Sequence, residues 1–130
     1  MAHTPPILVV ESEPKYVSEI HAEGHVVISD MPIAEGGHAS GLPPFGFVLA
    51  GLGACTNMTL RLYADRKGWN VGRVQTHVSM AADNSIAREI EFDGTLDGDQ
   101  RTRLLAIAEH CPVHKFLAAG GAKIVTTSRS

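Results

Sequence analysis

Apolar residues recur every second position through the first part of the chain, then switch to a helical period near its middle. Ile7-Leu8-Val9-Val10, Lys15–His21 and Gly24–Ser29 read as strands. In the second of these Tyr16, Ser18 and Ile20 share one face and Val17 and Glu19 the other, the alternation of a half-exposed strand. Gly24 between two such runs suits a hairpin turn. Asp30–Pro44, with Gly36, Gly37, Gly41 and three prolines, reads as a loop. From Phe45 to Lys67 proline is absent, Pro43-Pro44 presets the entry, and Arg66, Lys67 and Gly68 supply a C-terminal signature. The spacing predicts one long helix there. Its first half is apolar nearly all round (Phe45, Phe47, Val48, Leu49, Ala50, Leu52), which predicts burial. Gly46, Gly51, Gly53 and Ala54 leave room for another backbone, from this chain or from a second subunit.

Beyond the helix, Val74, Thr76, Val78 and Met80 alternate with polar neighbours, and Arg88–Asp93 alternates with Ile90 and Phe92 inward. Asp97-Gly98-Asp99 opens a second helix over Gln100–His110, on the spacing of Leu104, Ile107 and Ala108. Pro112–Ala118 makes a short helical turn and Ala122–Thr127 a last strand. Strands, helix, strands, helix and strand in that order predict an α+β fold with a mainly antiparallel sheet.

At 130 residues the chain is expected to form one domain, residues 1–130. A net charge of −3 offers no electrostatic footprint for nucleic acid or an anionic membrane. The sequence shows no apolar run of the roughly 18–20 residues that span a bilayer. Met1-Ala2-His3-Thr4-Pro5-Pro6 lacks the basic and apolar stretches of a secretory signal. A cytoplasmic location is the expectation. A structural disulfide does not ordinarily persist there, so Cys55 and Cys111 point to packing, metal binding or redox chemistry.

The two cysteines differ in setting. Cys55 lies about three turns into the long helix, with Gly51, Leu52, Met58 and Thr59 at the adjacent helical positions, a setting that also suits an inert core residue. Cys111 precedes Pro112, which can occupy the first position of a helix and so put Cys111 at its N-cap. There the helix dipole and unpaired N–H groups favour a thiolate; a Cys-Pro pair that merely ends a helix is the plain alternative. Cys111 and His114 have a C-x-x-H spacing, but a closed zinc site needs four ligands. His21 and His25, taken as residues of strands, stand roughly 13 Å apart and do not chelate together. No metal or cofactor site is expected, and His114 reads as a surface residue. No P-loop, G-x-G-x-x-G or G-x-S-x-G motif is present.

Taken together the segments resemble OsmC/Ohr proteins. The resemblance rests on Gly36-Gly37, on Gly41–Pro44 and on Leu49-Ala50-Gly51-Leu52-Gly53-Ala54-Cys55-Thr56. It continues through Tyr63–Trp69, Gln100–Glu109, Cys111-Pro112-Val113-His114-Lys115 and Lys123–Thr127. It implies an intertwined homodimer with a long buried central cysteine helix and active sites at the subunit interface. It also implies thiol-dependent reduction of organic hydroperoxides, with Cys55 peroxidatic, Cys111 resolving and an external dithiol as reductant. Chemically, a thiolate attacks the peroxide, and the resulting sulfenic acid condenses with the second thiol.

The departures from the family pattern fall on the chemistry. Active members carry a glutamate beside the proline that opens the cysteine helix, where this chain has Phe45 and Gly46. They also use an arginine from an early strand, and this chain has none before Arg61. Met31 stands where an acid is often found. Without a cation nearby a buried cysteine has its pKa raised, so Lys15, a histidine or Arg88 must substitute if Cys55 is to react quickly. The alternative expectation is a non-catalytic or redox-sensing relative that binds a small apolar ligand at the dimer interface.

Overall fold

The computed structural model describes residues 4–129; Met1–His3, which open the N-terminal stretch considered above, and Ser130 lie outside the described residues. Two compact units divide at Ala50 and Gly51, with one long helix beginning in the first and continuing into the second.

The first unit holds an antiparallel sheet of β1 (Leu8–Glu11), β2 (Ser18–Ala22) and β3 (His25–Ser29) in the order β1-β2-β3. β2 starts later than the alternation predicts. Val17 N–H donates to the Pro14 carbonyl (3.2 Å) and Tyr16 has a φ of 80°, so Pro14–Val17 is a turn and the pairing opens at Ser18. Glu23 and Gly24 both have positive φ (48° and 82°) and join Ala22 to its partner His25, a two-residue hairpin loop whose twist suits the flanking strands. Across this hairpin the along-strand spacing of roughly 13 Å expected for His21 and His25 does not apply. His21 pairs with Val26 and His25 with Ala22, so the two rings lie on adjacent strands and leave opposite faces of the ribbon. His21 Nε2 instead lies 3.1 Å from Glu19 Oε1.

After β3 the loop is organised by Asp30, which is almost completely buried. Its carboxylate accepts from the N–H groups of Met31 (2.7 Å), His38 (3.1 Å) and Ser40 (3.1 Å) and from the Ser40 hydroxyl (2.7 Å). These donors, led by Ser40, hold its pKa at about 2.

α1 (Pro44–Lys67) is the long helix, one residue longer than predicted. It buries a stripe of Leu52, Cys55, Thr56, Leu60 and Ala64, spaced three and four apart. The expectation that its first half is buried all round is not met within one chain: Phe45 is 64% exposed and Ala50 is exposed, and in the second half Met58 and Leu62 are exposed as well. A Cβ built at Gly51 would meet nothing within 4 Å among the described residues, so none of their backbone outside the helix itself fills that gap. By length and composition α1 could cross a membrane, yet its stripe packs into a protein core. Leu60 and Ala64 join Val71, Leu104 and Ala108, all essentially inaccessible, with Tyr63, Trp69, Ile90 and Phe92 around them.

The second unit adds β4 (Val74–Met80) and β5 (Ile86–Phe92), an antiparallel pair in full register from Val74↔Phe92 to Met80↔Ile86. Gly94 lets the segment after β5 lie against the turn before β4: its N–H donates to the Val71 carbonyl at 3.1 Å, and a Cβ there would stand 2.1 Å from the Asn70 carbonyl oxygen. α2 (Gly98–Ala108) is opened by Asp97, whose side chain accepts from Gln100 N–H (2.8 Å) while Gln100 Oε1 accepts from Asp97 N–H (2.9 Å). α3 (Pro112–Ala119) follows. The fold is α+β, with two small antiparallel sheets where one was expected. The predicted strand Ala122–Thr127 is absent: this segment joins no ladder, and Ile124 and Val125 are 84% and 75% exposed. A strand needs a neighbour to pair with, and within the described chain this one has none.

Candidate active site

Cys55 and Cys111, 56 positions apart in the sequence, come together in the second unit. α1 presents Cys55 on its buried stripe, and the α2–α3 junction presents Cys111 as the N-cap of α3, with Pro112 at the first helical position as the sequence predicts. Leu52 completes the buried cluster, and Val78, Ile86, Val113 and Leu117 pack against it. Both cysteines are thiols rather than a disulfide, and both are nearly sealed from solvent, at 3% and 0% exposure.

The two thiols share a hydrogen bond in which the Cys55 S–H faces the Cys111 sulfur. Burial, and then that bond, push the Cys55 thiol up. Burial works in the same direction on Cys111 but is outweighed by the Cys55 S–H, the backbone N–H groups of His114 and Val113, and the Thr56 hydroxyl, so the Cys111 thiol is held below its usual value. The pair titrates as a unit, so its first lost proton belongs to the two sulfurs together.

A charged cluster stands beside the thiols. Arg88 occupies an inward position of β5, in phase with Ile86, Ile90 and Phe92, and its side chain is only 11% exposed. Nη1 donates to the Thr56 hydroxyl at 3.1 Å, and Nη2 reaches both Glu109 Oε2 (3.1 Å) and His114 Nδ1 (3.0 Å). Arginine has only donors, so His114 Nδ1 accepts and the ring proton sits on Nε2, 3.3 Å from Glu109 Oε2. His114 is therefore part of the cluster, not the unengaged surface residue expected from the sequence. A cleft of about 440 Å³ opens here, with Asn84, Arg88, Glu109 and His114 as its polar side and Leu52, Ile86, Leu117 and Ala118 as its apolar side.

The OsmC family model, described as OsmC-like protein, matches residues 37–127, well over half of the chain. The chain belongs to the OsmC family. No curated protein matches it. Among solved structures, the OsmC-like protein from Mycoplasma pneumoniae is similar at a TM-score of 0.76 and 21% identity, covering 91% of this chain and 89% of that one. The organic hydroperoxide resistance protein OhrB of Bacillus subtilis matches at a TM-score of 0.60 and 20% identity, over 88% of this chain and 90% of that one. A hydroperoxide resistance protein from Vibrio cholerae, with captopril bound in one of its active sites, matches at 0.57 and 14% identity, over 90% and 87%. At these identities the structures establish the shared OsmC fold. Within that fold, the early-strand arginine and the glutamate beside the helix-opening proline that the resemblance led us to expect are absent from the sequence, and Arg88 and Glu109 pair next to Thr56 and His114. Lys15, another candidate substitute, lies in the first unit with its Nζ 5.3 Å from the centre of the Tyr16 ring.

Proposed function

We propose that this OsmC-family protein reduces organic hydroperoxides with the Cys55/Cys111 pair and is returned to the dithiol by an external dithiol reductant. The observation that carries the reading is the meeting of two sequence-distant thiols in one sealed cluster, hydrogen-bonded to each other and flanked by a buried arginine. Sulfurs so placed can pass from sulfenic acid to disulfide without large backbone movement. The family and its neighbours named for organic hydroperoxide resistance support the same substrate class. No cofactor is needed for this chemistry.

A homodimer belongs to the proposal. Phe45, Met58, Leu62, Phe116, Ile124 and Val125 are exposed apolar side chains, and Gly51 faces open space on the long helix. A second copy would cover such surface and offer the 122–127 segment a strand to pair with.

The test is consumption of cumene hydroperoxide with dithiothreitol present, for the wild type and for Cys55→Ser and Cys111→Ser. Turnover by the wild type and its loss in both variants supports the reading; equal consumption by all three sinks it. One observation favours a second reading, a redox sensor or small-ligand binder: both cysteines are nearly sealed from solvent, and Leu52, Ile86 and Leu117 give the cleft an apolar side that also packs in their cluster. A sensor would oxidise once and not turn over.

A further inference from the structure

We propose that His114 is a positioning residue that acts through Arg88: its neutral ring holds the guanidinium across the two elements that carry the cysteines, and protonation of the ring releases that hold. This deepens the reading above, on which it rests for the oxidant that the pair meets, and it leaves Cys55 and Cys111 in the roles that the family resemblance implies.

Arg88 ties together segments that are remote in the sequence. Nη1 donates to Thr56, the residue after Cys55 on α1, and Nη2 donates to Glu109 and His114, which flank Cys111. The guanidinium fork therefore runs from the Cys55 helix to the α2–α3 junction. Its Thr56 end is fixed, because that side chain is fully buried and its hydroxyl donates to the Leu52 carbonyl at 2.7 Å.

The other end depends on His114. Glu109 is largely hydrated, and its Oε2 faces both Arg88 Nη2 (3.1 Å) and His114 Nε2 (3.3 Å). His114, at 30% exposure, gives Nη2 a second acceptor, Nδ1 at 3.0 Å. That acceptor exists only on the neutral ring. An arginine offers donors alone, and so does an imidazolium. A second proton on His114 sets N–H against N–H at 3.0 Å and one positive charge against another.

The ring is more exposed than Arg88, so the ring turns away, and Glu109 Oε2 goes with it as the counter-ion of Nε2–H. Arg88 then keeps Thr56 and loses its grip on the α2–α3 junction. Disulfide formation is demanding about how one sulfur approaches the other. Closure of the Cys55–Cys111 bridge is thus favoured by neutral His114 and slows as the pH falls through the histidine range, from about pH 8 to 5. The charged groups facing the ring are Arg88 from β5 and Glu109 from the end of α2. Cys55 on α1 and Cys111 at the head of α3 belong to the adjoining cluster, and Lys115, the next residue of α3, is exposed.

Bridge closure can be followed without any hydroperoxide. With 4,4′-dithiodipyridine one thiolate forms a mixed disulfide and releases a thiopyridone. The second thiolate then attacks that protein sulfur, forms the S–S bridge and expels a second thiopyridone. The rate of the second release is measured from pH 5.5 to 8 in wild type, His114→Asn and His114→Leu. Asparagine offers Oδ1 in place of Nδ1 and does not titrate; leucine offers no acceptor. With each protein referred to its own rate at pH 8, wild type is expected to slow at least about tenfold more than His114→Asn by pH 5.5, the effect of losing one hydrogen bond to a charged group. At pH 8 His114→Leu should close more slowly than His114→Asn.

Long-range proton–nitrogen NMR gives a second readout. The neutral ring should carry its proton on Nε2, and the Arg88 side-chain signals should move with the His114 titration. Equal pH profiles in wild type and His114→Asn overturn the proposal, as does a neutral ring protonated on Nδ1 or an Arg88 signal that ignores the titration. A wild type that consumes no cumene hydroperoxide yet closes its bridge with the expected pH profile removes the reductase reading and upholds the positioning role.

Discussion

Arg88 Nη2 and Glu109 Oε2 stand 3.1 Å apart across a boundary, the arginine side chain 11% exposed and the glutamate 63%. The carboxylate is hydrated and its attraction screened, so the pair contributes little as an ion pair. Its consequence is geometric: Glu109 holds one end of the guanidinium and leaves the other end on Thr56.

Removing the guanidinium should therefore be felt at the thiols. A hydrogen bond involving a charged group contributes about 1.5–3 kcal/mol, enough for roughly a tenfold or greater change in rate. Arg88→Met is expected to slow hydroperoxide consumption by at least that factor and to shift thiol alkylation to higher pH. Arg88→Lys keeps the charge but not the fork that spans Thr56, Glu109 and His114, and should fall between. Glu109→Gln removes the opposing charge and should shift alkylation to lower pH. Shifts of the same sign in Arg88→Met and Glu109→Gln would contradict this account.

Oxidation should stabilise the fold. A bridge between Cys55 and Cys111 closes a span of 56 positions, which the loop-entropy account values at roughly 4 kcal/mol before strain. The melting temperature of the oxidised protein should rise on the order of 10 °C over the reduced form. Differential scanning calorimetry with and without dithiothreitol checks it; a lower value after oxidation would mean that the bridge distorts the cluster.

Asp30 gives the acid limb a defined shape. Its folded pKa is about 2 against an ordinary 3.8, so its contribution is fully present above the ordinary value and is lost as the pH falls towards 2. Asp30→Asn should lower the urea midpoint at pH 6, with the gap from wild type closing below pH 3. A gap that is constant with pH would assign the loss to packing.

Two stability variants test the second unit. Leu104 is fully buried between α1 and the sheet cluster, so Leu104→Ala should cost about 2–5 kcal/mol. Asp97→Ala removes the α2 cap and should cost about 1 kcal/mol. Urea denaturation ranks them, and the reverse order would contradict the burial pattern.

The long helix, the β4–β5 pair and the α2–α3 break at Cys111 were legible from sequence because each rests on local signals: period, caps and proline placement. The site was legible in its sulfurs and, as one of several candidate cations, in Arg88, but not in the contacts that hold them. Thr56 and Glu109 lie 32 and 21 positions from Arg88, and no local pattern encodes such contacts. One signal was available: Arg88 shares the inward phase of Ile90 and Phe92, and a charge on the buried face of a strand requires partners. Asp30 was missed because it looked like any loop aspartate, although its buried carboxylate gathers the backbone around it. The tail was overread because alternation reports a strand's suitability and not whether a neighbour exists to pair with it.

Leu52, Ile86 and Leu117 line the cleft and also pack in the cluster that buries the two sulfurs. Entry to the thiols is then a question of breathing, since these side chains must swing aside by rotamer hops before any reagent arrives. A slim reagent is therefore expected to reach the sulfurs faster than a bulky tripeptide thiol. Trimming Leu117 to alanine should narrow that difference before it makes the sulfurs faster.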